Sequence, residues 1–160
     1  MKNDIGGYIF AKLGLSGFIS GVQTFQDRRL KNAPLGNNLI GILPGTEWAT
    51  GHDQVLVVGA HWDTVPGSPG LDDNGSGVAA ILEVARALHD ANCTNKYTVI
   101  IVAFDLEEYG SDGSLQFIQV NFISCKLILS KQIVAGLSSS KNIVTTDRCS
   151  QISVYWSYYS

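Results

Sequence analysis

Imidazole and carboxylate side chains occur in three short clusters: His61-Trp62-Asp63, Asp72-Asp73-Asn74-Gly75-Ser76-Gly77 and Glu107-Glu108. Histidine, aspartate and glutamate are ligands of zinc in hydrolytic enzymes. In such sites the metal activates a water molecule, and a neighbouring carboxylate takes up and returns a proton. The residue types, their order and their spacing therefore indicate metal-dependent hydrolysis.

Each cluster offers a particular chemical role. If the chain after His61 is extended, Asp63 points to the same side and can reach the second imidazole nitrogen. Such a contact fixes the tautomer and raises the basicity of a metal-bound histidine. One carboxylate of Asp72–Gly77 can bridge two cations, and the glycines permit a close approach of the backbone. Of the pair Glu107-Glu108, one can bind metal while the other moves a proton.

Each cluster taken alone also has an ordinary structural explanation. A histidine near a turn aspartate is common on surfaces, Asp and Asn before a helix cap free N–H groups, and adjacent glutamates are often solvated. The three clusters together favour a catalytic metal site, because all of them lie at the ends of predicted elements. A Ser-His-Asp hydrolase is disfavoured since the sequence contains no Gly-x-Ser-x-Gly, and it contains no Walker A pattern.

The elements that must position these residues form a β-α-β unit. Val55–Ala60 and Tyr97–Phe104 are apolar runs of strand length, typical of strands buried on both faces of a parallel sheet. Gly77–His89 lies between them and has apolar residues at three- and four-residue steps, which predicts a helix packed on the sheet. His61 and Glu107-Glu108 follow the two strands closely, where ligand sites of α/β sheets form.

The remaining segments are less clearly patterned. Asn38–Leu43 predicts a short strand, and Ser111–Val120 predicts the start of another helix. Residues 1–35 show little periodicity. The last part of the chain has apolar or aromatic patches at Phe122–Leu129 and Ile152–Tyr159, separated by a Ser/Thr-rich stretch. These features predict an α/β fold.

Composition and charge limit other functions. A chain of 160 residues with 45% hydrophobic and 16% charged residues fits one globular domain. The net charge of −3 and the lack of a Lys/Arg cluster disfavour a nucleic-acid partner. No apolar run approaches the roughly 20 residues that a membrane span needs. The three cysteines form neither a metal-binding pair nor a disulfide framework.

Four stretches together resemble a known family: Gly59–Asp63, Pro69–Gly77, Leu82–Arg86 and Phe104–Ser114. They are similar to the M28 family of co-catalytic zinc peptidases, which includes secreted and vacuolar aminopeptidases and glutamate carboxypeptidases. The resemblance covers a core from about residue 38 to 119. It implies a three-layer α/β sandwich with a mostly parallel central sheet, and hydrolysis of peptide bonds near a chain terminus.

The resemblance also implies a role for each site residue. His61 would bind one zinc ion, Asp73 would bridge two ions, and Glu108 would bind the other. Glu107 would be the general base, and Asp63 would orient His61. The implied cofactor is Zn²⁺, with two ions in the family, and the implied substrate is a peptide or an amino-acid derivative.

The family pattern includes two later ligands, an Asp and a His, that have no clear match here. No histidine follows His89, and Asp147, the only aspartate after Gln119, lies in a different sequence context. We therefore expect residues 1–160 to be a single, incomplete peptidase domain with an unassigned tail over 120–160. This chain is expected to have little or no activity. The alternative is a non-catalytic remnant that binds metal weakly or acts through protein contacts.

Other interpretations stay open. A mononuclear relative similar to glutaminyl cyclases would use the same clusters, and the stretch His61–Pro66 also resembles M20 metallopeptidases and deacylases. The run of Pro, Gly and paired Asp over Pro69–Asp73 favours M28. Met1–Val22 lacks the layout of a signal peptide. For a full-length parent, the resemblance implies a secreted, vacuolar or lysosomal location.

Overall fold

The computed structural model describes residues 2–26, 34–50, 52–92, 94–119 and 153–155. In these residues, the helices are α1 (Lys2–Leu15), α2 (Gly77–Asp90) and α3 (residues 112–119). The strands are β1 (Ile19–Gln26), β2 (Leu35–Leu43), β3 (Leu56–His61), β4 (Val99–Phe104) and β5 (Ser153–Tyr155). None of the helices in these ranges has the length and apolar character needed to cross a bilayer.

The strands form one mixed sheet in the order β1-β2-β4-β3-β5. β3 runs parallel to β4 and β5, whereas β2 runs antiparallel to both β1 and β4. The expectation of a mostly parallel sheet is therefore wrong. A parallel connection needs a crossover of about a dozen or more residues, and the segment between Gln26 and Leu35 is too short for one.

The predicted β-α-β unit is confirmed, because β3 and β4 are parallel neighbours joined through α2. The predicted strand at Asn38–Leu43 is β2, which begins earlier, at Leu35. The sequence did not predict α1 and β1. Of the two late apolar patches, Ile152–Tyr159 contains β5, and Phe122–Leu129 lies outside the described residues.

Helices α1 and α2 pack on one face of the sheet. Ile9 and Leu13 of α1 are completely buried, and Ile81 and Ala85 of α2 join the same cluster. The cluster consists of Ile9, Leu13, Phe18, Leu39, Ala60, Ile81, Ala85, Val99, Ile101 and Ala103. Alternate residues of β4 belong to it, as expected for a strand whose side chains point to opposite faces.

The opposite face of the sheet is covered by α3. Phe117 of α3 packs with Phe104 of β4, their ring centroids 5.7 Å apart and nearly perpendicular. Val57 and Val102 complete this second buried cluster. Helices therefore lie on both faces of the sheet, and this sandwich holds the ends of β3 and β4 in place.

Candidate metal centre

The ends of β3 and β4 bring the predicted residues together. His61 is the last residue of β3 and pairs with Phe104, the last residue of β4. Glu107 and Glu108 lie in the turn that follows β4. Because parallel strands end at the same edge of a sheet, the three side chains meet there, with ligand atoms within 4.8 Å of one another.

His61 is buried, with 7% of its surface exposed, and both ring nitrogens face acidic residues. Nε2 lies 2.9 Å from Asp73 Oδ1. Nδ1 lies 3.1 Å from the Asp63 carbonyl oxygen and 3.5 Å from its carboxylate. Burial disfavours the imidazolium, but the contact with Asp63 and the charges of Glu107, Asp63 and Asp73 raise the pKa of His61 above its usual value. The site therefore attracts positive charge.

Asp63 contacts both strand ends. Its carboxylate accepts hydrogen bonds from the backbone N–H of Glu107, at 3.1 Å, and of Glu108, at 3.3 Å. Burial alone would raise the pKa of Asp63, but the contacts with His61 and with these two N–H groups lower it. The sequence predicted that Asp63 reaches the second nitrogen of His61. It did not predict that the same carboxylate holds the Glu107-Glu108 turn.

Glu108 has the surroundings expected of a metal ligand. Its Oε1 is buried and has no hydrogen-bond partner among the described residues. Leaving a buried acceptor without a partner costs about 1–3 kcal/mol, and more for a charged group. Burial first, and then the negative charges of Asp73 and Glu107, raise the pKa of Glu108. A cation beside this oxygen would supply the missing partner, so the residues present fit a metal ion.

Asp73 reaches the site from an irregular π-type turn, Leu71–Ser76, that precedes α2. Asp73 and Asn74 leave helical geometry inside this turn, and the peptide bond between them is cis. The Asp73 side chain is 72% exposed, although one oxygen contacts His61. Asn74 Oδ1 accepts the N–H of Gly77, the first residue of α2, at 3.1 Å and so satisfies one of the free N–H groups of that helix.

Glu107 differs from Glu108 in its partners. Its Oε1 accepts a hydrogen bond from the Ser111 hydroxyl at 3.3 Å. Its backbone carbonyl accepts the N–H groups of Gly110 and Ser111, at 2.9 and 2.8 Å. The carboxylate is thus tied to the turn at one oxygen and still lies within reach of His61 and Glu108. This placement suits a residue that moves a proton beside a metal ion.

Trp62 is a contact residue that the sequence did not assign a role. Its indole N–H donates to the Asn37 carbonyl at 3.2 Å, and its ring lies close to Gly6 of α1. Through its indole, Trp62 therefore connects α1 and β2 to its two neighbours in the site, His61 and Asp63. In the sequence, its position between His61 and Asp63 was the one feature that could have indicated a role for Trp62 at the site.

Comparison with known proteins identifies the family. The family model described as Peptidase family M28 matches residues 38–142. The chain belongs to peptidase family M28. The match begins where the resemblance was expected to begin, and it extends past Gln119. M28 membership supports a peptidase function and implies zinc as the metal.

Curated relatives of this M28 chain are longer than it is. It is 34% identical over 111 residues to leupeptin-inactivating enzyme 1 from Streptomyces exfoliatus, covering 69% of this chain and 24% of that protein. It is 40% identical over 67 residues to aminopeptidase YwaD from Bacillus subtilis, covering 42% of this chain and 14% of that protein. The chain thus spans a quarter or less of these M28 relatives.

Solved structures share the fold. Glutaminyl cyclase from Porphyromonas gingivalis is 28% identical with a TM-score of 0.55, covering 65% of this chain and 36% of that one. LapB from Legionella pneumophila is 22% identical with a TM-score of 0.60, covering 77% of this chain and 33% of that one. The second likeness concerns the fold alone. The α/β arrangement of this M28 chain therefore recurs in proteins of larger size.

Proposed function

We propose that this chain carries part of the active site of a zinc-dependent exopeptidase, which hydrolyses peptide bonds near a chain terminus. The observation that carries the proposal is the meeting of His61, Glu107 and Glu108 at one sheet edge, with ligand atoms within 4.8 Å. Asp73 joins them through its contact with His61. Aminopeptidase YwaD, one of the curated relatives, supports the same reaction class.

We assign the metal-binding roles to His61, Asp73 and Glu108. His61 presents Nε2 toward the site, and Glu108 presents a buried oxygen that lacks a partner among the described residues. Asp73 contributes an exposed carboxylate that can be shared between two ions. Zinc, when bound, supplies a Lewis acid that activates water and polarises the substrate carbonyl.

The remaining residues orient groups and move protons. Glu107 accepts a proton from the attacking water and returns it to the leaving amine, as a general base and then a general acid. Asp63 accepts the Nδ1–H of His61, so that in the zinc-bound form the Nε2 lone pair would be free for the metal. Asp63 also fixes the backbone of Glu107 and Glu108, so it keeps the base and the metal ligand in one relative position.

We further propose that metal binding and activity in this chain are weak. Within residues 1–160 no histidine follows His89, so these residues do not supply the later histidine ligand that the resemblance implies. A metal ion held by fewer ligands than its preferred set is bound less tightly.

A glutaminyl cyclase activity is a second candidate. It is favoured by the 28% identity and the TM-score of 0.55 with the glutaminyl cyclase from Porphyromonas gingivalis. The two candidates differ in their products. An exopeptidase releases a free amino acid from an aminoacyl-anilide, whereas a cyclase releases ammonia from a peptide with an N-terminal glutamine.

Zinc titration of the purified chain tests the proposed site. We expect wild-type protein to bind zinc, and His61→Ala to bind it at least about tenfold more weakly, because even the loss of a residue that supports a ligand costs about 10–100-fold. His52 is exposed and lies outside the site, so His52→Ala is the matched control and keeps wild-type affinity. A folded wild-type chain that binds no zinc, or a His61→Ala variant that binds it equally well, would show that the proposal is wrong.

A further inference from the structure

A buried carboxylate that the proposed chemistry does not use lies next to the site. Asp105 is the first residue after β4, and none of its surface is exposed. Its Oδ2 accepts the N–H of Asn37 at 2.9 Å, and its Oδ1 accepts the N–H of Leu106 at 2.9 Å. A buried charge is tolerated only when such partners replace water. These partners belong to β2 and to the turn that carries Glu107 and Glu108.

Asn38 extends this contact to α3. Its Oδ1 accepts the N–H of Asp105 at 3.0 Å, and its Nδ2 donates to the carbonyl of Gly113 at 2.7 Å. A side chain at position 113 would overlap the Asp105 carbonyl, so this close approach requires glycine. We call Asn38, Asp105 and Gly113 the buried clasp. It joins β2, the end of β4 and the start of α3.

Two residues of the buried clasp flank the turn that carries the two glutamates. Asp105 stands at the beginning of the turn and Gly113 stands at its end. Between them, the Leu106 carbonyl accepts the N–H of Asp112 at 3.1 Å. Leu106 itself has a φ of 57°, in the left-handed region that a leucine rarely adopts. The Asp105 carboxylate, bound to the N–H of Leu106, helps to hold this conformation.

We infer that Asp105 is a positioning residue for the Glu107-Glu108 pair, an inference that rests on the proposed metal site. Asp105 accepts the first N–H of the turn, that of Leu106, and Asp63 accepts the next two, those of Glu107 and Glu108. With both carboxylates in place, Glu108 is held near His61 before any metal arrives. Loss of Asp105 frees the turn, and Glu108 then spends less time at the ligand position.

The substitution Asp105→Asn tests this role with little change in shape. An amide has one oxygen, so it cannot accept from both Asn37 and Leu106, and its NH₂ faces one of their donors. We expect the zinc Kd to rise by about 10–100-fold, the usual effect of removing a residue that orients metal ligands. We also expect amide hydrogen exchange at Glu107 and Glu108 to quicken by about tenfold relative to the amides of β4.

Asp53→Asn is the matched control. Asp53 is also a buried carboxylate, and it accepts the N–H and the hydroxyl of Thr98, at 3.0 and 2.7 Å. Thr98 precedes β4, so this pair lies at the end of the strand that is remote from Glu107. Asp53→Asn should lower the melting temperature in the same way as Asp105→Asn. It should leave the zinc Kd and the exchange of Glu107 and Glu108 relative to β4 unchanged.

The zinc Kd and the hydrogen exchange together distinguish a failure of the proposed metal site from a failure of the role of Asp105. Both variants are measured at a temperature at which each is folded. If Asp53→Asn changes the zinc Kd and the relative exchange of Glu107 and Glu108 as much as Asp105→Asn does, the inference is overturned. If wild-type protein binds no zinc, the proposed function fails, yet hydrogen exchange still decides the role of Asp105 because it needs no metal. If Asp105→Asn does not fold, Asn38→Ala loosens the buried clasp instead. Unchanged relative exchange in that variant would then overturn the inference.

Discussion

Glu107 and Glu108 are neighbours in sequence, but their surroundings give them different chemistry. Glu107 has one oxygen hydrogen-bonded to Ser111, whereas Glu108 has a buried oxygen without a partner among the described residues. A buried carboxylate oxygen that lacks a partner destabilises the protein unless a cation neutralises it. Glu108 is therefore suited to hold a metal ion, and Glu107 is suited to move a proton beside it.

This difference predicts the behaviour of Glu108→Gln. Without zinc, we expect the variant to be at least as stable as wild-type protein, because it removes a negative charge, with one oxygen buried, close to those of Asp73 and Glu107. With zinc at about 100 times the wild-type Kd, wild-type protein should gain about 2.7 kcal/mol, and the variant should gain much less. Melting temperatures with zinc and with a chelator measure both effects.

Glu107→Gln is the control for that experiment. It should retain the zinc-dependent gain in melting temperature, because Glu107 is assigned to proton transfer and not to metal binding. Any hydrolysis of an aminoacyl-anilide should disappear in it. An equal loss of the zinc effect in both variants would contradict the division of roles between Glu107 and Glu108.

At the scale of elements, sequence patterns predict some parts of this fold and miss others for physical reasons. β3, α2 and β4 are apolar or amphipathic along their length, and each was predicted from that pattern. α1 contains Gly6, Gly7 and Gly14, which have low helix propensity, so its helix depends on packing. The direction of β2 leaves no trace in its apolar residues, because a buried strand has the same pattern in either direction.

The candidate site shows the same limit. Residue types at strand ends predicted His61 and the glutamate pair, because the carboxyl ends of parallel strands meet. Asp73 was predicted from the acidic cluster that precedes α2. The contacts made by Asp63 and Asp105 with backbone N–H groups were not predictable. They depend on the conformation of the turn after β4, including the left-handed Leu106. Periodicity carries no information about such a turn.

Packing between β3 and β4 predicts the effect of Gly59→Ala. A Cβ at Gly59 would overlap the ring of Phe104, which itself packs on Phe117. Overpacking of this kind costs about 1–3 kcal/mol, so we expect the urea midpoint to fall. Gly21→Ala in β1 is the control, since a Cβ there meets nothing within 4 Å. A Gly59→Ala variant as stable as Gly21→Ala would show that the two strands do not approach this closely.

At the scale of the whole molecule, the site and the amino-terminal helix share one hydrophobic cluster. Leu13 of α1 packs in the same cluster as Ala60 and Ala103, the residues just before His61 and Phe104. The ends of β3 and β4 thus share a hydrophobic cluster with α1, a helix that the sequence did not predict. The stability of the site should depend on residues far from its chemistry.

Leu13→Ala tests this dependence. Leu13 is completely buried, so truncation should lower the free energy of unfolding by about 2–5 kcal/mol through lost burial and a cavity. Leu15 lies two residues further along the same helix and is 74% exposed, so Leu15→Ala should change it by less than about 0.5 kcal/mol. Urea unfolding followed by circular dichroism measures both values. In the same protein, exchange of the His61 amide should quicken with Leu13→Ala and not with Leu15→Ala, because α1 and the end of β3 unfold together. An unchanged His61 amide in a destabilised Leu13→Ala protein would mean that α1 unfolds separately from the site.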